Sequence, residues 1–212
     1  MWTNELNVGG ASGRDYTWSN RDSEAPPTLK IRADGSANVG AASVRRSDTA
    51  ARPHSCDLRL NRLSDSPATF FVTKSLLPKK PALDASAREI IISALEFAVR
   101  ENRIYLRAFV VMPDHWHALF ALREPWTLPK FMHAIMSFVA GKTSAVLKFQ
   151  GTSWQDGFYD TRVKTPKQLA FIVNYIEQNP VAKGLIEQPE EWHASSAKRK
   201  DLIAEPWPWL LR

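Results

Sequence analysis

The residues of this chain best able to do chemistry are two histidines one residue apart, in His115-Trp116-His117, and a tyrosine and an asparagine four apart, Tyr175 and Asn179. On a β-strand alternate side chains share a face, so both imidazoles would point one way and Trp116 the other. That arrangement is a two-nitrogen clamp suited to several divalent metals. Two histidines do not complete a site, and such a pair standing alone is more often surface or core packing. A structural zinc site is disfavoured, because the chain has a single cysteine, Cys56, and no His-x-x-x-His pair. Tyr175 and Asn179 would fall on one helix face, the first able to attack through its hydroxyl and the second to offer its carbonyl oxygen. A helical tyrosine is otherwise usually a half-buried packing residue, and an asparagine before proline usually ends a helix.

The elements that must hold these residues follow from periodicity. Aromatic and β-branched residues at 68–74 suit a strand. Asp84 can cap a helix from 85 to about 102, with Ile91, Ala94, Leu95 and Ala98 on one apolar face. Residues 104–112 read as a buried strand, Pro113-Asp114 as a turn, and 115–122 as the strand returning beside it. A second helix is expected over 128–149, with Phe131, Met132, Ile135, Phe138 and Val139 inward and Gly141 a point of interruption. Residues 154–163 read as a further strand, and Thr165-Pro166-Lys167-Gln168 opens a third helix to about residue 178. This order predicts an α+β fold, a ferredoxin-like or RRM-like antiparallel sheet with helices packed on one face.

Composition sets the bounds around this domain. Residues 1–66 are rich in Ser, Ala, Gly, Asp, Arg and Pro without a periodic apolar pattern, and are expected to be a disordered extension. The domain is expected over 67–188, with 189–212 a tail carrying Trp192, Trp207 and Trp209. The first 68 residues hold nine Lys or Arg and eight Asp or Glu, so five of the six net positive charges lie beyond them. A basic domain points to a polyanionic partner, nucleic acid or an anionic membrane surface, although solvated lysine faces are common. No stretch offers the roughly 18 apolar residues of a membrane span, and no signal-like segment opens the chain, so a cytoplasmic protein without a membrane partner is expected.

Taken together, several separated motifs make a pattern: Met112-Pro113-Asp114-His115-Trp116-His117, Trp154-Gln155-x-Gly157-Phe158, Tyr175-Ile176-x-x-Asn179-Pro180-Val181-x-x-Gly184-Leu185 and Trp192-x-x-Ser195-Ser196. In order and spacing they resemble the REP-associated tyrosine transposases, within the wider class of single-tyrosine HUH transposases. The likeness runs from about residue 55 to the end. Asp114 departs from it, since asparagine is the commoner neighbour of the first histidine, and the first 50 or so residues have no counterpart.

The resemblance implies a chemistry. Tyr175 would be the nucleophile, and magnesium or manganese would sit on His115, His117 and Asn179 and polarise a scissile phosphate. Attack would leave a 5′-phosphotyrosine and a free 3′-hydroxyl, so that a second strand end could displace the tyrosine without ATP. The partner would be single-stranded or hairpin DNA from a palindromic repeat. Lys142, Lys148, Lys164 and Lys167 are candidate phosphate contacts, and Tyr159 or Trp207 candidate stacking platforms, although each such residue taken singly is more often solvated surface or packing. The rival is a non-catalytic single-strand-binding domain, a domesticated relative, which has no need of the two histidines, tyrosine and asparagine together. Whether the working unit is a monomer or a homodimer stays open.

Overall fold

The computed structural model describes residues 28–31, 37–40, 68–148, 151 and 153–203. Two short strands, β1 (Thr28–Ile31) and β2 (Ala37–Gly40), form an antiparallel ladder within the segment read as an extension. The rest of that expectation, and the stacking role considered for Trp207, lie outside the described residues.

The apolar run at 69–75 forms β3 (Thr69–Ser75), buried along its whole length. Helix α1 (Ala85–Arg100) begins where the Asp84 side chain accepts the Ala87 amide at 2.7 Å, satisfying one of the unpaired donors of the first turn. It ends on Asn102, whose φ of 54° lets the Arg103 amide reach back to the Ala98 carbonyl. Strands β4 (Ile104–Val111) and β5 (His115–Leu122) pair across the Pro113-Asp114 turn, and β5 pairs with β3 on its other side. Helix α2 (Leu128–Val146), strand β6 (Tyr159–Val163) and helix α3 (Pro166–Ala182) complete the domain.

The sheet runs β4-β5-β3-β6 and is antiparallel throughout. The α+β class and the ferredoxin-like order of elements are therefore as read from the sequence. The distribution of helices is richer than one covered face. Helices α1 and α2 pack against Phe70, Val72, Phe109, Trp116 and Phe120. Helix α3 packs on the opposite face, where Ile172 and Ile176 meet Phe71, Val110 and Leu119. Both faces can be covered because β5, His-Trp-His-Ala-Leu-Phe-Ala-Leu, is buried at every position.

Three further details differ from the periodicity reading. A bulge at Arg107 shifts the register between Leu106 and Ala108, so that Ala108 and Val110 face α3 while Phe109 and Val111 face α1 and α2. Phe138 is an exposed residue of α2 and not an inward one, and Gly141 lies within that helix without interrupting it. The strand expected from residue 154 reduces to β6, with Trp154 joined to Leu76 by an isolated bridge.

The segment read as a tail is partly a strap. Ala194 accepts the Val111 amide at 2.8 Å, Ser196 donates its amide to Phe109, and the Trp192 indole donates to the Val111 carbonyl. These bonds cover the outer edge of β4, where unpaired backbone groups would otherwise invite another strand.

Candidate active site

The candidate catalytic residues gather on the face of the sheet beneath α3. In β5 the two-residue alternation sends His115 and His117 to this face and Trp116 into the α1/α2 core, as the spacing predicts. Both histidines are fully buried, with ring centroids 4.7 Å apart. The strand register sets Thr73 beside His117 and Ser75 beside His115. The 113–114 turn is fixed from both sides, since the Pro113 carbonyl accepts from the Leu83 amide and the Asp114 carbonyl from the Leu76 amide.

Each imidazole has its Nδ1 engaged. Thr73 Oγ1 lies 2.8 Å from His117 Nδ1, and Asp114 Oδ1 lies 2.6 Å from His115 Nδ1. Burial tends to raise the Asp114 carboxyl, but the hydrogen bond and charge of His115 outweigh it and hold the group below its usual range. An ionised carboxylate can only accept, so His115 Nδ1 donates to it, which turns Nε2 to the site as the nitrogen that could meet an ion. For His117, burial first, then the charges of His115 and Lys183, hold the ring well below the usual histidine range. It is neutral, and the tautomer in which Nδ1–H donates to the Thr73 hydroxyl is the one that leaves Nε2 as a lone-pair donor as well.

Helix α3 brings the other two groups. The Thr165 hydroxyl caps it by accepting the Gln168 amide at 3.2 Å, and the Gln168 side chain reaches back to the Lys164 amide at 2.9 Å. The helix does not stop at Asn179 but continues through Pro180 to Ala182. It closes with Gly184 at φ 65° and the Leu185 amide on the Pro180 carbonyl. Asn179 thus stands inside the helix, one turn beyond Tyr175 on the same face. The Tyr175 ring lies 5.4 Å from the His117 ring and 6.0 Å edge-on from Phe71. Burial pushes its hydroxyl above the ordinary tyrosine range, with the nearby Asn179 amide opposing the rise without meeting it in hydrogen-bond geometry.

Five buried polar atoms on this face have no protein hydrogen-bond partner: His115 Nε2, His117 Nε2, Asn179 Oδ1, the Tyr175 hydroxyl and the Ser75 hydroxyl. The first three are two imidazole nitrogens and an amide oxygen, a mixed donor set that fits a divalent ion. Among the described residues no cluster of three His, Cys, Asp or Glu side chains offers an alternative metal centre.

The family model described as "Transposase IS200 like" matches residues 71–179, which contain both histidines, Tyr175 and Asn179. The chain belongs to this family. It is 26% identical over 133 residues to a REP-associated tyrosine transposase of Escherichia coli K12, covering 62% of this chain and 77% of that one. It is 28% identical over 111 residues to a putative REP-associated tyrosine transposase of Haemophilus influenzae, covering 48% of this chain and 62% of that one. A solved structure of a REP-associated tyrosine transposase bound to a REP hairpin shares the fold, with a TM-score of 0.55 and 22% identity over 65% of this chain and 81% of that one.

The candidate DNA contacts fall into two groups. Lys164 and Lys167, both exposed, stand at the start of α3 on the site face, and Tyr159 is half-exposed on β6. Lys142 and Lys148 are exposed on α2 and just past its end, and α2 covers the opposite face. Sequence reasoning missed Thr73 as the partner of His117, because only the β3–β5 register reveals it. It noted Asp114 as a departure from the family pattern, and the structure makes that carboxylate the partner of His115. It also missed Glu177, which accepts the Ser196 hydroxyl at 3.2 Å and ties α3 to the strap. Among the described residues no helix is long and apolar enough to cross a membrane.

Proposed function

We propose that this transposase cleaves and rejoins single-stranded or hairpin DNA by transesterification on Tyr175. The observation that carries the reading is the convergence, within one chain, of the Tyr175 hydroxyl with two imidazole nitrogens and an amide oxygen that have no other protein partner. His115 and His117, through Nε2, and Asn179, through Oδ1, would hold magnesium or manganese. A bound ion would supply charge to polarise a phosphate oxygen and to favour the phenolate against the upward pull of burial.

The remaining work belongs to the protein. The Tyr175 oxygen, losing its proton, forms a bond to the scissile phosphorus as the bond to the 3′ oxygen breaks, and that oxygen leaves as a 3′-hydroxyl. The phosphodiester energy is kept in the 5′-phosphotyrosine, so an incoming 3′-hydroxyl can reverse the step. Thr73 and Asp114 hold the imidazoles in one tautomer, and Phe71 packs the tyrosine ring. The solved relative bound to a REP hairpin supports palindromic repeat DNA as the substrate class. A binding domain without catalysis would not need this set of groups.

The test is covalent trapping. Labelled hairpin oligonucleotides carrying single-stranded flanks should give a protein–DNA adduct in magnesium or manganese, with the phosphotyrosine mapped to Tyr175 by mass spectrometry. Tyr175→Phe, which keeps the ring packing, should fold and bind but give no adduct. An adduct mapped to Tyr159 or Tyr105 would refute the assignment.

A further inference from the structure

We infer that the margin of the site face, where β6 meets the exposed flank of α3, is a track for single-stranded DNA, with Tyr159 and Phe171 as base-stacking platforms on its two sides. The inference rests on the DNA-cleaving reading above and adds where the strand runs. Helix α3 covers this face unevenly, packing on β4 and in part on β5. Glu177, on one flank of the helix, is held by Ser196 at the β4 edge, so the flank bearing Tyr175 looks across β3 toward β6. Lys167, Phe171, Tyr175 and Asn179 follow one another along that flank at four-residue spacing, which makes them neighbours.

The facing wall is β6. Val163 packs under α3, so by strand alternation Tyr159 and Thr161 point to the same face, and Asp160 and Arg162 to the other. Tyr159 pairs with Thr73 and Thr73 with His117, which places Tyr159 two strands, or about 10 Å, from the histidine on the same row. Tyr159 is 51% exposed and Phe171 40%, unusual for large aromatic side chains on a face otherwise buried. Lys164 and Lys167 stand exposed at one end of the groove, and this face of β6 and flank of α3 carry no carboxylate. Two aromatic faces with cations and no opposing charge make a site for successive unpaired bases and their phosphates. A duplex hides the faces of its bases, so the strand in the groove is single, and the row from Tyr159 to His117 leads it to Tyr175.

The test compares two probes on the full chain: a labelled hairpin with a single-stranded flank and the same hairpin cut blunt. Tyr159→Ala and Phe171→Ala should each weaken binding of the flanked probe by at least about fivefold, the lower end of base–aromatic stacking. Binding of the blunt probe and the melting temperature should hold, and Tyr159→Phe should bind as the parent does. Light-induced crosslinking of 5-iodouracil placed in the flank should map to Tyr159 or Phe171. Equal losses on both probes would put the duplex in the groove and overturn the proposal, as would unchanged affinity in both alanine variants or crosslinks confined to α2. A parent that crosslinks as expected yet forms no tyrosine adduct would sink the catalytic reading and leave the track standing.

Discussion

Replacing Thr73 with valine probes the link between the sheet and the imidazole of His117, a proposed metal ligand. The change is nearly isosteric, at a residue 4% exposed, and removes one oxygen. That oxygen lies 2.8 Å from His117 Nδ1. In the tautomer that leaves Nε2 free for an ion, losing this oxygen buries Nδ1–H with no partner, at a cost of about 1–3 kcal/mol, part of which a tautomer shift can relieve. The relieved tautomer carries its proton on Nε2, the atom that should face the ion. Loss of such an outer-shell partner typically lowers metal affinity by about 10- to 100-fold. We therefore expect Thr73→Val to bind manganese about 10-fold or more weakly by calorimetry, to need correspondingly more metal for half-maximal adduct formation, and to regain full rate at saturating metal. Thr73→Ser, which keeps the hydroxyl, should sit close to the parent. Unchanged manganese affinity in a folded Thr73→Val protein would refute the argument that this hydroxyl sets the tautomer.

Two other outcomes follow from the same geometry. Because the folded pKa of His117 is depressed while its unfolded value is near 6.5, the unfolded state binds the extra proton as pH falls below 6.5; this residue should then cost about 1.4 kcal/mol of stability per pH unit until the folded group titrates. Denaturant melts of the metal-free parent and of His117→Gln between pH 7 and pH 5 should diverge by that slope, and parallel curves would contradict a buried neutral imidazole. Ser196→Ala should slow single-turnover cleavage by roughly tenfold, short of the ~100-fold cost of a 1 Å misplacement, with hairpin affinity unchanged, since Ser196 touches Glu177 two residues from Tyr175, the proposed nucleophile. A parental rate in that variant would show that the strap does not position α3.

Much of the site was legible because it depends on short periods. The two-residue alternation of β5 and the four-residue spacing in α3 each put a pair of functional groups on one face whatever the rest of the chain does. Legibility stopped where the two pairs meet. Strand β5 is apolar on both faces, so nothing in its pattern says which helix covers which side, and the sequence reading placed the helices together. Arg107 looks like one more strand residue, yet its bulge decides which β4 side chains face Tyr175. The strap escaped because its bonds to β4 are made mostly by backbone groups, with the Trp192 indole the side chain that joins them. Pro180 misled in the other direction. A proline normally argues for a helix end, but here the terminal turn is closed by Gly184 and Leu185 beyond it, which keeps Asn179 inside the helix.

The division of labour between the sheet's faces explains how such a site persists. A buried polar atom left with no partner at all would cost about 1–3 kcal/mol, and polar atoms that no protein group satisfies are gathered beneath α3. Helices that covered both faces with apolar side chains would remove that cost and the chemistry with it. The opposite face offsets it, since Trp116, Phe120, Phe131, Ile91 and Leu95 form one continuous core under α1 and α2. Trp116 stands between the two histidines in sequence and points away from both. The same strand that presents the two candidate ligands is therefore anchored by the largest side chain buried between them, and a substitution such as Trp116→Ala would loosen the pair through the core without touching either imidazole.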